Sequence, residues 1–195
     1  MNLANKLTVL RIVLVPVFVV FMLVDKAYIH DGFIWAVLVF IIAGITDYID
    51  GRVARNRDMV TKFGEFLDPL ADKVLVTAAL VCFLDLGWAP AWMVIVIITR
   101  DFVVSGVRLV AVGRREKTVI AADKLGKLKT AVTMFGIIII IALNIAQTSE
   151  TAIIGLSIGD FTALTTTIIM WIITLLTVIS GVSCVLKNKQ VLKGE

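Results

Sequence analysis

The chain has 195 residues, 59% of them hydrophobic, and a formal net charge of +4, with a mean hydropathy of +1.00. Soluble chains carry roughly 45–50% apolar residues, so the composition excludes an ordinary water-soluble domain and predicts one integral membrane domain over residues 1–195. The basic residues sit in alternate loops and not in one patch, which argues against a nucleic-acid partner.

Apolar runs close to the ~20 residues that cross a bilayer recur along the chain. They predict an all-α integral membrane fold of six transmembrane helices. Residues 1–11 carry spaced polar side chains (Asn2, Asn5, Lys6, Thr8, Arg11) and are read as a short interfacial helix. The first span follows over about 12–24, with Pro16 expected to kink it where neighbouring helices resatisfy the backbone. Asp25-Lys26-Ala27-Tyr28 is a poor cleavage site, so the segment is expected to be retained and not removed as a signal. The second span is placed at about 33–50 and the third at about 69–86, ending in a Gly87-Trp88-Ala89-Pro90 turn. The remaining three cover about 91–112, 129–146 and 161–186.

Cys82 and Cys184 stand in apolar stretches without ligand spacing and are read as small buried side chains. His30 is the one histidine, which excludes histidine-based zinc or triad chemistry. Lysine and arginine set the topology. Arg52, Arg55, Arg57 and Lys62 fall in one loop, Arg114, Arg115, Lys117, Lys124 and Lys127 in another, and Lys187, Lys189 and Lys193 at the C-terminus. Lys26 stands alone on the opposite side. The positive-inside bias puts both termini on the cytoplasmic side of the cell membrane.

The stretch 47–72 reads D-Y-I-D-G-R-V-A-R, eight residues, then G-E-F-L-D-P-L-A-D. Its three- and four-residue steps place Asp47 and Asp50 on one face of a helix, and Asp68 and Asp72 on one face of the next. Both pairs lie at the same end of a hairpin. Acids gathered at one membrane surface repel one another unless something positive holds them. An all-carboxylate set suits hard cations such as Mg²⁺ or Mn²⁺ better than zinc. Two such ions roughly 3.5–4 Å apart clamp the attacking and leaving oxygens of a phosphoryl displacement. Gly51 and Gly64 let a ligand approach the backbone, and Arg55 offers a bidentate grip on phosphate. Blander readings exist for each residue. Asp68 fits a helix N-cap before Pro69 at N1, Asp50 a solvated helix end, Gly51 with Ala54 a small-residue packing face, and Arg55 an interfacial anchor.

The pattern D-x-x-D-G-x-x-A-R, eight residues, G-x-x-x-D-x-x-x-D resembles the signature of the CDP-alcohol phosphotransferases, matched at every defined position. The resemblance implies that Asp47, Asp50, Asp68 and Asp72 hold two divalent cations and that Asp72 is also the catalytic base toward the acceptor hydroxyl. It further implies that Asp50, Gly51, Ala54, Arg55 and Gly64 lie against the cytidine diphosphate, and that the chains pair as a homodimer. The reaction implied is attack of an alcohol on the β-phosphorus of a CDP-activated lipid, with release of CMP.

The acceptor is read from other residues. Arg100 and Asp101 fall inside the fourth span, Arg108 follows eight residues later, and Lys124, Lys127 and Lys129 open the fifth span at the same level. An intramembrane arginine usually lines a water-filled cavity. An Arg100–Asp101 pair is the alternative, although neighbours on a helix do not face each other. A cavity lined by Arg100, Arg108, Lys124, Lys127 and Lys129 suits an acceptor that carries a phosphate. The stretches F-G-E-F-L-D-P-L-A-D-K, I-T-R-D-F-V-V-S-G-V-R, K-L-G-K-L-K-T and N-K-L-T-V-L-R are similar to those of bacterial members that join CDP-diacylglycerol to glycerol 3-phosphate. The alternatives are a phosphatidylinositol-phosphate or cardiolipin-type synthase of the same family, a membrane prenyltransferase, or a cation carrier. A prenyltransferase needs more helices and has no use for Gly51, Arg55 and Gly64; a carrier would hold its acids near the midplane.

Overall fold

The computed structural model describes the backbone of residues 3–24, 31–56, 62–113, 124–146 and 158–187, and the side chains of 8–24, 31–46, 73–106, 125–146 and 159–187. The described residues form six helices: α1 (Leu3–Leu23), α2 (Gly32–Asn56), α3 (Lys62–Asp85), α4 (Ala91–Gly113), α5 (Lys124–Ala146) and α6 (Ile158–Lys187). Among these residues there is no strand. Leu125–Ala146 and Gly159–Lys187 are long and apolar enough to cross a membrane.

Three expectations change. No break separates an interfacial helix from a first span, because α1 is continuous from Leu3 and runs through Pro16. The third helix begins at Lys62, so Asp68 lies inside α3 and is not its cap. The fifth begins at Lys124 and carries Lys129 beyond its first turn. Helix ends leave four backbone groups unsatisfied, and where water is scarce the chain stays helical through a local breaker such as Pro69.

Helix α1 packs against both α2 and α3; α5 packs against α2, α6 and α3; α4 packs against α3 and α6. Phe18, Phe40, Phe83, Ile97, Ile137 and Ile173 meet no solvent. Cys82 is buried with them. Close approach is made by glycine at two crossings: a Cβ on Gly136 would lie 2.8 Å from Ile173 Cδ1, and one on Gly44 would lie 3.1 Å from Met134 Cε. The outward faces are apolar as well, with Val13, Ile42, Ile95, Phe135, Leu164 and Leu175 all exposed. In water that much contiguous apolar surface would drive association; against lipid chains it is neutral. Two buried threonines satisfy their hydroxyls within their own helices, Thr133 donating to the Lys129 carbonyl at 2.9 Å and Thr174 to that of Met170 at 2.7 Å.

The turn between α3 and α4 has a local cause. Trp88 N–H donates to the Phe83 carbonyl at 2.8 Å and Gly87 N–H to that of Leu84 at 3.1 Å. This is a Schellman cap with Gly87 at φ 72°. The rings of Phe83 and Trp88, 5.4 Å apart, make the apolar contact that accompanies it.

Candidate active site

Heptad steps carry the buried stripe of α2 through Ala36, Phe40 and Ala43, and the next register positions are Asp47 and Asp50. The stripe of α3 runs back from Phe83, Ala79 and Leu75 to the register positions of Asp72 and Asp68. Gly51 and Gly64 stand eleven residues, close to three whole turns, from Phe40 and Leu75. The acid pairs and both glycines therefore continue the inward stripes of two helices, at the C-terminal end of one and the N-terminal end of the other. The side chains of these residues, and of Ala54, Arg55, Arg108 and Lys124, lie outside the described set. Among the described residues no group of three or more His, Cys, Asp or Glu side chains is placed to hold a metal.

A second polar cluster is described in full. Asp101 on α4 accepts two hydrogen bonds from Lys129 Nζ on α5, at 2.6 Å and 2.8 Å. It also accepts from Arg100 Nη1 at 3.1 Å. Arg100 Nη2 in turn donates to Ser180 Oγ on α6 at 2.8 Å. The Lys129 side chain is only 5% exposed and that of Asp101 19%. One carboxylate thus binds two cations and ties three helices together. The Arg100–Asp101 pair does form although the two are neighbours in sequence, because the long guanidinium stem swings round the helix. Arg100 Nε and Thr177 Oγ1 are buried without a hydrogen-bond partner among the described residues.

Of the five cations expected around an acceptor, Arg100 and Lys129 are thus brought together through Asp101. Arg108 is eleven residues, close to three whole turns, from buried Ile97 on α4, and so shares its face at the end where the aspartates lie. Lys127 is exposed and on a different face from Lys129. Asp101 as a bridge, Ser180 and the burial of Arg11 were not read from the sequence. An acid within an apolar helix, needing cationic partners, was the available signal for Asp101.

Gly181 admits the Arg100 stem, since a Cβ there would stand 2.8 Å from Arg100 Cγ. Gly181→Leu is expected to displace the guanidinium and cost about 1–3 kcal/mol, read as a lower thermal midpoint in detergent, with Gly181→Ala milder.

The family model for CDP-alcohol phosphatidyltransferase matches residues 1–179. The chain belongs to the CDP-alcohol phosphatidyltransferase family. Membership makes it an enzyme of phosphatidyl transfer and places the aspartates of α2 and α3 within the matched region. It is 39% identical to the CDP-diacylglycerol–glycerol-3-phosphate 3-phosphatidyltransferase of Bacillus subtilis (strain 168), over 98% of this chain and 97% of that one. Identity to the protein of the same name in Rickettsia typhi is 35%, covering 93% of this chain and 94% of that one. A probable phosphatidylglycerophosphate synthase of Mycobacterium tuberculosis (strain ATCC 25618 / H37Rv) is 44% identical over 67% of this chain and 61% of its own. For a CDP-alcohol phosphatidyltransferase the apolar outer faces and the two membrane-length helices fit an enzyme that works in the bilayer.

Proposed function

We propose that the chain transfers the phosphatidyl group of CDP-diacylglycerol to glycerol 3-phosphate, giving phosphatidylglycerophosphate and CMP. The observation that carries this is the near end-to-end match to a Bacillus subtilis enzyme named for that reaction. All six helices span the cell membrane, the whole chain forms one domain, and the acid-bearing ends of α2 and α3 face the cytoplasm with both termini. The arginines and lysines of the loops at that end support the orientation. The family resemblance carries the further proposal of a homodimer.

The donor set fits divalent cations: Asp47, Asp50, Asp68 and Asp72 offer oxygen alone, on stripes that turn inward at one end of the bundle. Mg²⁺ or Mn²⁺ bound there would polarise phosphoryl oxygens and offset the negative charge that builds on them. Arg55, with Asp50, Gly51, Ala54 and Gly64, receives the cytidine diphosphate. The Asp72 carboxylate takes the proton of the acceptor hydroxyl as its oxygen bonds to the β-phosphorus and the bond to CMP breaks. Arg108 and Lys124 meet the phosphate of the acceptor, with Arg100 and Lys129 deeper in the bundle and Lys127 adding positive field at the rim.

Purified protein given CDP-diacylglycerol, Mg²⁺ and an equimolar mixture of glycerol 3-phosphate, inositol phosphate, phosphatidylglycerol and serine tests the acceptor. Phosphatidylglycerophosphate is expected as the dominant lipid product; dominance of another would overturn the assignment. Arg108→Ala is expected to raise KM for glycerol 3-phosphate roughly tenfold or more, the loss of one charged hydrogen bond of about 1.5–3 kcal/mol. KM for CDP-diacylglycerol should move far less, and equal shifts in both constants would refute the role.

A further inference from the structure

We propose that Arg11 is a positioning residue of the carboxylate site, an ion-pair partner that the α1–α2 contact delivers to Asp47. The inference rests on the reading of Asp47 as a metal-holding carboxylate. Arg11 is 2% exposed and among the largest fully buried side chains. A guanidinium does not deprotonate, and a buried charge is retained only with a countercharge. Asp31, just before α2, and Asp85, the last residue of α3, stand at the opposite ends of those helices. Asp160 opens α6, which runs parallel to α4 and so starts at that same far end, and Asp101 is engaged by Lys129 and Arg100.

The register supplies the countercharge. The rings of Phe18 and Phe40 lie 5.6 Å apart, and those of Phe21 and Trp35 lie 6.4 Å apart. Advancing along α1 therefore means retreating along α2, so the helices are antiparallel. From the Phe18–Phe40 layer, seven residues toward the start of α1 reach Arg11, and seven toward the end of α2 reach Asp47. Seven residues are two turns less about 20°, a rise of roughly 10 Å. Arg11 and Asp47 thus occupy the same level and the same facing stripes. Val15 and Ala43, both buried, form the layer between. One step further, buried Thr8 stands at the level of Asp50.

A fixed cation here orients one carboxylate of a mutually repelling group and offsets part of its charge. Partners of metal-ligating groups typically change metal affinity about 10–100-fold when removed. The test uses the full chain in detergent with Mn²⁺ as probe, binding being read from the loss of the free-ion electron paramagnetic resonance signal. Arg11→Gln is expected to weaken Mn²⁺ binding about 10–100-fold, and Arg11→Lys to recover part of it. In an Asp47→Asn background Arg11→Gln should add little further loss. Unchanged affinity in Arg11→Gln, or penalties that simply add, would overturn the pairing. Where Arg11→Gln alone does not fold, the double variant, which removes both charges, should fold; its failure too would count against the proposal. A wild-type chain that binds no Mn²⁺, or an Asp47→Asn chain that binds it normally, would instead refute the metal reading on which the pairing rests.

Discussion

Asp72→Asn is expected to reduce turnover roughly 10²–10⁴-fold, the usual contribution of a positioned general base, while CDP-diacylglycerol binding stays within a few-fold of wild type. Asparagine keeps the shape of the side chain and can still accept a hydrogen bond, but it cannot take up the proton of the acceptor hydroxyl. The nucleophile then attacks as a neutral alcohol and the barrier rises. Incorporation of labelled glycerol 3-phosphate into lipid measures the first quantity, and equilibrium binding of CDP-diacylglycerol to the same preparation measures the second. Near-normal turnover would remove Asp72 from the chemistry. Loss of lipid binding together with turnover would assign the effect to the metal-holding role of Asp72 and remove the support for its role as base.

The second large effect is on stability. Asp101→Asn leaves Lys129, with a side chain only 5% exposed, facing a neutral amide. Breaking one side of a buried pair costs about 3–5 kcal/mol, and the 19% exposure of the Asp101 side chain sets the expectation at the lower end. At about 2–4 °C per kcal/mol for a chain of this size, the thermal midpoint should fall by roughly 6–12 °C. Adding Lys129→Met removes the stranded ammonium, so the double variant should recover much of the loss. A double variant as unstable as the two single losses combined would show that Asp101 and Lys129 act independently, against the geometry of their two short hydrogen bonds.

Asp47, Asp50, Asp68 and Asp72 were legible because three- and four-residue spacing is a property of a single helix, readable without knowing any neighbour. The helices themselves were legible for the same reason: a run of some twenty apolar residues has few other uses. Asp101 was harder. Its partners lie 28 residues away on α5 and, through Arg100, 80 residues further along on α6. No local pattern selects Lys129 over Lys127 for that role; the turn of α5 does, burying one and exposing the other.

Arg11 shows the limit most clearly. A basic residue near the start of a hydrophobic segment has the look of a side chain at the membrane surface. The structure instead buries it on the α1 stripe with Thr8, Val15, Phe18 and Met22, because α1 packs against α2 and α3 at once. By itself the sequence determined the all-helical class, the approximate positions of the helices and the acid motif, since hydropathy and helical period are local quantities. Only the tertiary structure decided which buried charge answers which, because that depends on the relative register of helices the chain does not place side by side.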